Sequence, residues 1–152
     1  MAPPDQGAQL AALKPWLVDT GPLVAFLSRK DPDHERMSEV LGAFPGRMLS
    51  TGAVVTEAMF FLAKARVGPA ALAELVSSGG IVIVDVFQPS DLRAAARLMS
   101  RYGDTPMDFA DATLVLTGEA LGVLDILTLD RRGFSTFRTN DGQPFRLVID
   151  AA

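Results

Sequence analysis

Cysteine is absent from this chain, and histidine, tryptophan and tyrosine each occur once. The missing cysteine excludes a disulfide framework, a thiolate nucleophile and a finger-type zinc site, and it fits a reducing compartment. With His34 as the single histidine, a metal site built from several imidazoles cannot form within one chain. Positive charge is also short: 14 Lys and Arg stand against 18 Asp and Glu, a formal net charge of −4. That balance excludes nucleic-acid binding through a general basic surface. Contact with nucleic acid would need local basic patches, or cations that bridge protein carboxylates to phosphates. No uncharged apolar run approaches a membrane span. Met1 to Pro15 lacks the basic flank and apolar stretch of a secretion signal. The expectation is a cytoplasmic protein with no membrane partner.

What is there suits a folded protein with a sizeable core: 152 residues, 49% hydrophobic and 21% charged. Residues 1–14, with Pro3, Pro4 and Gly7, are expected to form a flexible leader, and residues 15–150 a single domain. Pro15-Trp16-Leu17-Val18-Asp19 reads as a short buried strand ending in an acid. Gly21-Pro22 breaks it, and helices follow over Leu23–Ser28 and from Asp31-Pro32 to about Phe44. A second strand covers Arg47–Ser50, then a helix from Thr51 to Arg66 and a shorter one ending at Ser77-Ser78-Gly79-Gly80. Ile81–Val84 is the clearest strand, a β-branched run without alternation, which implies cover on both faces. Helices over Ser90–Tyr102 and Pro106–Leu121, a strand over Asp125–Leu129 and an edge strand over Phe145–Ile149 complete the reading. Strands alternating with helices imply an α/β fold with a mostly parallel sheet between helical layers.

In such a sheet ligands sit beyond the carboxyl ends of the strands, near the point where strand order reverses. Acids at strand ends therefore come first. Asp19 ends the first strand and Asp130 follows the fourth, although each has a plain alternative as a helix or strand-end cap. Glu57 is harder to explain structurally. Its i±3 and i±4 neighbours are Ala53, Val54, Phe60 and Phe61, all apolar, so its carboxylate needs a cation or strong donors, and a distant Arg is the structural alternative. Asp111 shares this character beside Leu114 and Val115. Asp108, one turn earlier, is accounted for by the capping-box pattern Thr105-Pro106-Met107-Asp108 and ranks below it. Asp104 reads as a turn residue. Asp85 also ends a strand, but no acid follows on a neighbouring helix, and it is set aside.

Several carboxylates crowded together raise one another's pKa and cannot all stay ionised without a cation. Ligation by oxygen alone suits Mg²⁺ or Mn²⁺. Either ion helps deprotonate an attacking water and neutralises charge on a phosphodiester.

These segments resemble the PIN-domain ribonucleases, in particular the VapC-type toxins of toxin–antitoxin pairs. The matching stretches are Leu17-Val18-Asp19-Thr20-Gly21-Pro22-Leu23, Ser50-Thr51 through Thr56-Glu57, Met107-Asp108-Phe109-Ala110-Asp111-Ala112 and Leu127-Thr128-Leu129-Asp130-Arg131-Arg132. Each motif is weak alone; four in this order are specific. The resemblance implies a five-stranded parallel sheet in the order 3-2-1-4-5. It also implies an acidic quartet of Asp19, Glu57, Asp111 and Asp130, with Asp108 as an additional metal-binding acid and Thr20 and Thr128 as supporting hydroxyls. The implied activity is hydrolysis of RNA by a metal-activated water. The implied partners are an antitoxin protein and a second copy of the chain, for which Phe60 and Phe61 are candidate interface residues, unless both rings lie in the core. Arg131 and Arg132 are the best-placed RNA contacts, ahead of Arg29, Lys30, Lys64 and Arg66; His34 is expected at the surface rather than in catalysis. Two readings compete: a scaffold that binds RNA or antitoxin without cutting, and a phosphatase with a nucleophilic aspartate. The second is weakened because Gly21 occupies the position of the second Asp that such enzymes need.

Overall fold

Short β-branched and apolar runs become strands, and the longer runs between them become helices. The computed structural model describes residues 14–66 and 68–150; the expected leader falls outside them except for Lys14. The strands are β1 Trp16–Val18, β2 Met48–Thr51, β3 Ile81–Val84, β4 Asp125–Leu127 and β5 Arg146–Leu147. The helices are α1 Thr20–Leu27, α2 His34–Ala43, α3 Gly52–Leu62, α4 Gly68–Ser77, α5 Pro89–Arg101, α6 Phe109–Leu121 and α7 Arg131–Thr136, and Val148–Asp150 adds a 3₁₀ turn.

The sheet runs β3-β2-β1-β4-β5 with every pairing parallel, as the resemblance implies. Parallel neighbours need crossover connections, so helices cover both faces. β1 lies at the centre, Leu17 opposite both Leu49 and Ile126. Adjacent residues of β4 serve opposite faces. Ile126 packs with Leu17, Leu114 and Phe134, whereas Leu127 packs with Ala25, Met37 and Ile149.

Several boundaries depart from the sequence reading. α1 begins at Thr20, with Gly21 and Pro22 inside its first turn; the proline's missing N–H is one the first turn leaves unbonded anyway. β3 is an edge strand and Val82 is 41% exposed, so the strand is covered on one face only. α6 begins at Phe109, because Thr105 is tied back to Tyr102 O at the end of α5. The capping box is formed by Asp108 and Asp111 instead. α7 was not anticipated, and it shortens the strand before it. β5 is two residues long, because the chain turns into the 3₁₀ segment.

Candidate functional site

The strand order reverses at β1, with β2 on one side and β4 on the other, which opens a crevice beyond their carboxyl ends. Asp19 leaves β1 there, and its N–H donates to Leu127 O at 3.0 Å. Its carboxylate caps α1, with Oδ1 accepting from Thr20 N at 2.8 Å. Oδ2 accepts from Thr128 Oγ1 at 2.8 Å, and Thr128 Oγ1 in turn accepts from Asp130 N at 2.9 Å. One hydroxyl thus ties the ends of β1 and β4 together. Asp130 caps α7 through Gly133 N at 3.0 Å. Gly133 leaves room for this cap: a Cβ would lie 2.3 Å from Asp130 Oδ2, and the carboxylate would have to shift.

Glu57 and the Asp108–Asp111 pair come from α3 and α6, which a buried hydroxyl network braces. Thr113 Oγ1 donates to Ala110 O at 2.7 Å, so Thr51 is the donor in the 2.8 Å contact between the two threonines. Ser50 Oγ donates to Val18 O at 2.9 Å, fastening β2 to β1. At the start of α6, Asp108 Oδ1 accepts from Asp111 N at 2.8 Å and Asp111 Oδ2 from Asp108 N at 3.1 Å.

Asp19, Thr20, Glu57, Asp108, Asp111 and Asp130 therefore line one crevice of about 470 Å³. Capping and membership of the cluster are not alternatives for Asp108, because each carboxylate has a second oxygen. Three further residues at the rim escaped the sequence reading: Asp31, Asp33 and Phe61. The signal for the first two was the repeated acid in Asp31-Pro32-Asp33, read above only as a helix start.

The electrostatics are those of buried acids with like charges beside them. Asp19 is 7% exposed, and burial pushes its carboxyl up to about 6, with Asp108 and Glu57 adding to it against the hydrogen bonds from Thr128 and Thr20. Asp111 is pushed up to about 8, by burial first and then by Asp19 and Asp108. Burial also raises Glu57; the nearby Thr20 hydroxyl opposes this and Asp108 reinforces it. No protein cation relieves the cluster: among the described residues the ion pairs are Arg131–Asp150 and Arg146–Asp125. The distant Arg that would have explained Glu57 is not there.

Could these residues hold a divalent cation? The donors are all oxygens, which suits Mg²⁺ or Mn²⁺. Thr20 Oγ1 is buried with no partner at hydrogen-bonding geometry, an orphan beside the acids. Among the described residues, no three or more such side chains are already arranged as a metal cage. The reason is visible in the caps: Asp19, Asp108, Asp111 and Asp130 each direct oxygens at backbone N–H groups. The residues fit such an ion chemically, and side-chain rotation has to complete the site.

The remaining candidates lie elsewhere. Arg131 pairs with Asp150 at 2.8 Å, and neither it nor Arg132 lines the crevice. His34 is half-buried, its Nδ1 bonded to Ala25 O at 2.8 Å, where it pins α2 to α1. Asp104 sits in the turn after α5, and Asp85 accepts from Phe87 N beyond the edge strand. Phe60 and Phe61 are 66% and 49% exposed, so neither ring is in the core. Among the described residues no helix is long and apolar enough to cross a membrane.

Beside this parallel sheet and the acid-lined crevice at its reversal point, residues 16–139 match the model of the PIN domain. The chain belongs to the PIN-domain family, and is of the VapC type. Ribonuclease VapC26 of Mycobacterium tuberculosis (strain ATCC 25618 / H37Rv) is 32% identical over 136 residues, covering 87% of this chain and 98% of that protein. The crystal structure of Mycobacterium tuberculosis VapC20, a sarcin-ricin loop cleaving toxin, shares the fold. Its TM-score is 0.69 at 19% identity, over 76% of this chain and 89% of that one.

Proposed function

We propose that this protein is a VapC-type ribonuclease that hydrolyses RNA phosphodiesters with a divalent cation, Mg²⁺ or Mn²⁺. The observation that carries the reading is the convergence of Asp19, Glu57, Asp108, Asp111 and Asp130 on one crevice with no protein cation beside them. The relative named a ribonuclease supports the substrate class. Asp19, Glu57, Asp111 and Asp130 would hold the ion, with Asp108 as a fifth acid. When bound, it supplies a lowered pKa for water and neutralises charge on the phosphoryl oxygens.

The chain's own residues do the rest. Thr128 holds the Asp19 carboxylate and the Asp130 backbone in register. The Thr20 hydroxyl, buried among the acids, opposes the rise of the Glu57 carboxyl and would orient that acid. Hydrolysis forms a bond from water oxygen to phosphorus and breaks the bond from phosphorus to the leaving sugar oxygen, which takes up a proton. His34 is held by Ala25 and takes no part.

The proposed partners are an antitoxin protein and a second copy of the chain. Exposed Phe60 supports a covered face, and light scattering on the purified protein tests the dimer directly; a clean monomer removes it. Cleavage of a panel of structured RNAs with Mg²⁺, Mn²⁺ or EDTA, beside Asp19→Asn, tests the activity. Cleavage is expected only with cation and intact Asp19. Equal cleavage by the variant would mean a contaminating nuclease and would end the proposal.

A further inference from the structure

Phe61 borders three hollows at once. It stands at the rim of the acid crevice. It also edges an apolar groove of about 640 Å³ shared with Phe60, Phe87 and Phe109. On its third side is a hollow of about 460 Å³ walled by Arg29, Lys30, Lys64 and Arg66. The rings are bare, with Phe60 66% and Phe61 and Phe87 each 49% exposed. Such a cluster on a protein surface marks a place where something else packs. Phe60 and Phe61 meet edge to face at 5.6 Å, and Lys64 Nζ sits 5.7 Å over the Phe60 ring.

The four cations run against the net charge of the chain, −4. Among the described residues none of the four forms an ion pair. Beside an acid cluster that repels phosphate, the fold therefore sets a patch that attracts it, with an aromatic ring between. A single-stranded nucleic acid matches both features, carrying one phosphate per nucleotide and a flat face on every base. A protein segment could cover the rings, but only an acidic one would also satisfy the cations.

We propose that Phe61 is a stacking platform for a nucleobase next to the scissile phosphate, and that Arg29, Lys30, Lys64 and Arg66 carry the phosphates of the strand leaving the crevice. The inference rests on the ribonuclease reading above and assigns the substrate a single-stranded path. Phe61 and the four cations act here as positioning residues.

The test is binding of a labelled ten-nucleotide single-stranded RNA in EDTA, read by fluorescence anisotropy across a salt series, with cleavage in Mg²⁺ measured beside it. Phe61→Leu is expected to weaken binding roughly ten-fold with an unchanged salt slope, because stacking is lost and no phosphate contact is. Phe61→Tyr is expected to restore binding. Lys64→Ala with Arg66→Ala is expected to flatten the slope of log affinity against log salt by about 1.4, two phosphate contacts' worth for a single strand. Arg93→Ala with Arg97→Ala, which removes the same charge from the exposed face of α5, is expected to leave the slope unchanged. Circular dichroism of each variant establishes that it folds. Folded Phe61 and Lys64/Arg66 variants that bind and cut RNA like the wild type overturn this inference alone and assign the groove to a protein partner. Wild-type protein that neither binds nor cuts overturns it together with the ribonuclease reading.

Discussion

β4 has acids at both ends, and the fold treats them in opposite ways. Asp125, at its amino end, is gripped by Arg146, with Nε and the terminal guanidinium nitrogen 2.7 and 2.9 Å from its two oxygens. Those hydrogen bonds hold its carboxyl below the usual range, despite some burial. Beyond its carboxyl end stands Asp130, joined by Asp19, Glu57, Asp108 and Asp111 with no cation paired to them among the described residues. There Asp19 rises to about 6 and Asp111 to about 8. Where an acid is structural, the chain supplies its own counter-charge. Where several acids are buried together and left unpaired, their compensation has to come from outside, and perturbation of this kind marks a working site.

Neutralising one acid at each end of β4 should give the largest difference. Asp19→Asn or Asp111→Asn is expected to lower RNA cleavage on the order of a thousand-fold, the several kcal/mol a bound cation contributes. Asp125→Asn is expected to stay within about three-fold. Single-turnover cleavage rates in Mg²⁺ decide it; equal losses at both ends would erase the distinction.

Stability against pH should separate the ends next. Asp19 has a folded-state pKa above its unfolded value, so its stabilising contribution is complete below about pH 4 and is lost as pH rises through about 6. In EDTA, Asp19→Asn should therefore gain on the wild type by about 3 kcal/mol between pH 4 and pH 8, measured by urea unfolding. Saturating Mg²⁺ should close that gap. Asp125 has the opposite sign: its contribution is present above its unfolded pKa and fades as pH falls through the lowered folded one.

Smaller effects come from the supports. Gly133→Ala drives a Cβ against Asp130 Oδ2. Disturbing that cap is expected to cost about 1 kcal/mol in thermal or urea unfolding, along with slower cleavage. Arg146→Ala is the mildest: its ion pair is half exposed on the Arg side, so a loss of no more than about 1 kcal/mol is expected, with cleavage intact. A loss as large as that of Asp19→Asn in cleavage would show that the two ends are coupled.

Much of this contrast was legible in the residues. Glu57 and Asp111 stood out because their helical neighbours are apolar, and both do face the crevice. Asp19 and Asp130 stood out as acids at strand ends. Phe60 and Phe61 were ambiguous between core and interface, because two adjacent rings on a helix point in different directions and only neighbouring elements decide what covers them. Arg131 reads as an RNA contact from its place after Asp130; what the sequence does not record is that α7 brings it to Asp150, 19 residues on. The Thr105 capping box failed because Thr105 was already engaged with the end of α5.

The order of residues is enough for the alternation of strand and helix, the absence of thiol and multi-histidine chemistry, and the acids that could matter. Those follow from composition and from neighbours a few residues apart. That β1 meets β4, that Asp31, Asp33 and Phe61 line the crevice, and that among the described residues no arginine pairs with the cluster became visible in the folded chain alone. The Thr128 hydroxyl on Asp19 spans 109 positions of chain. Burial and pairing across such distances depend on which surfaces the whole fold brings together, and no local pattern records them.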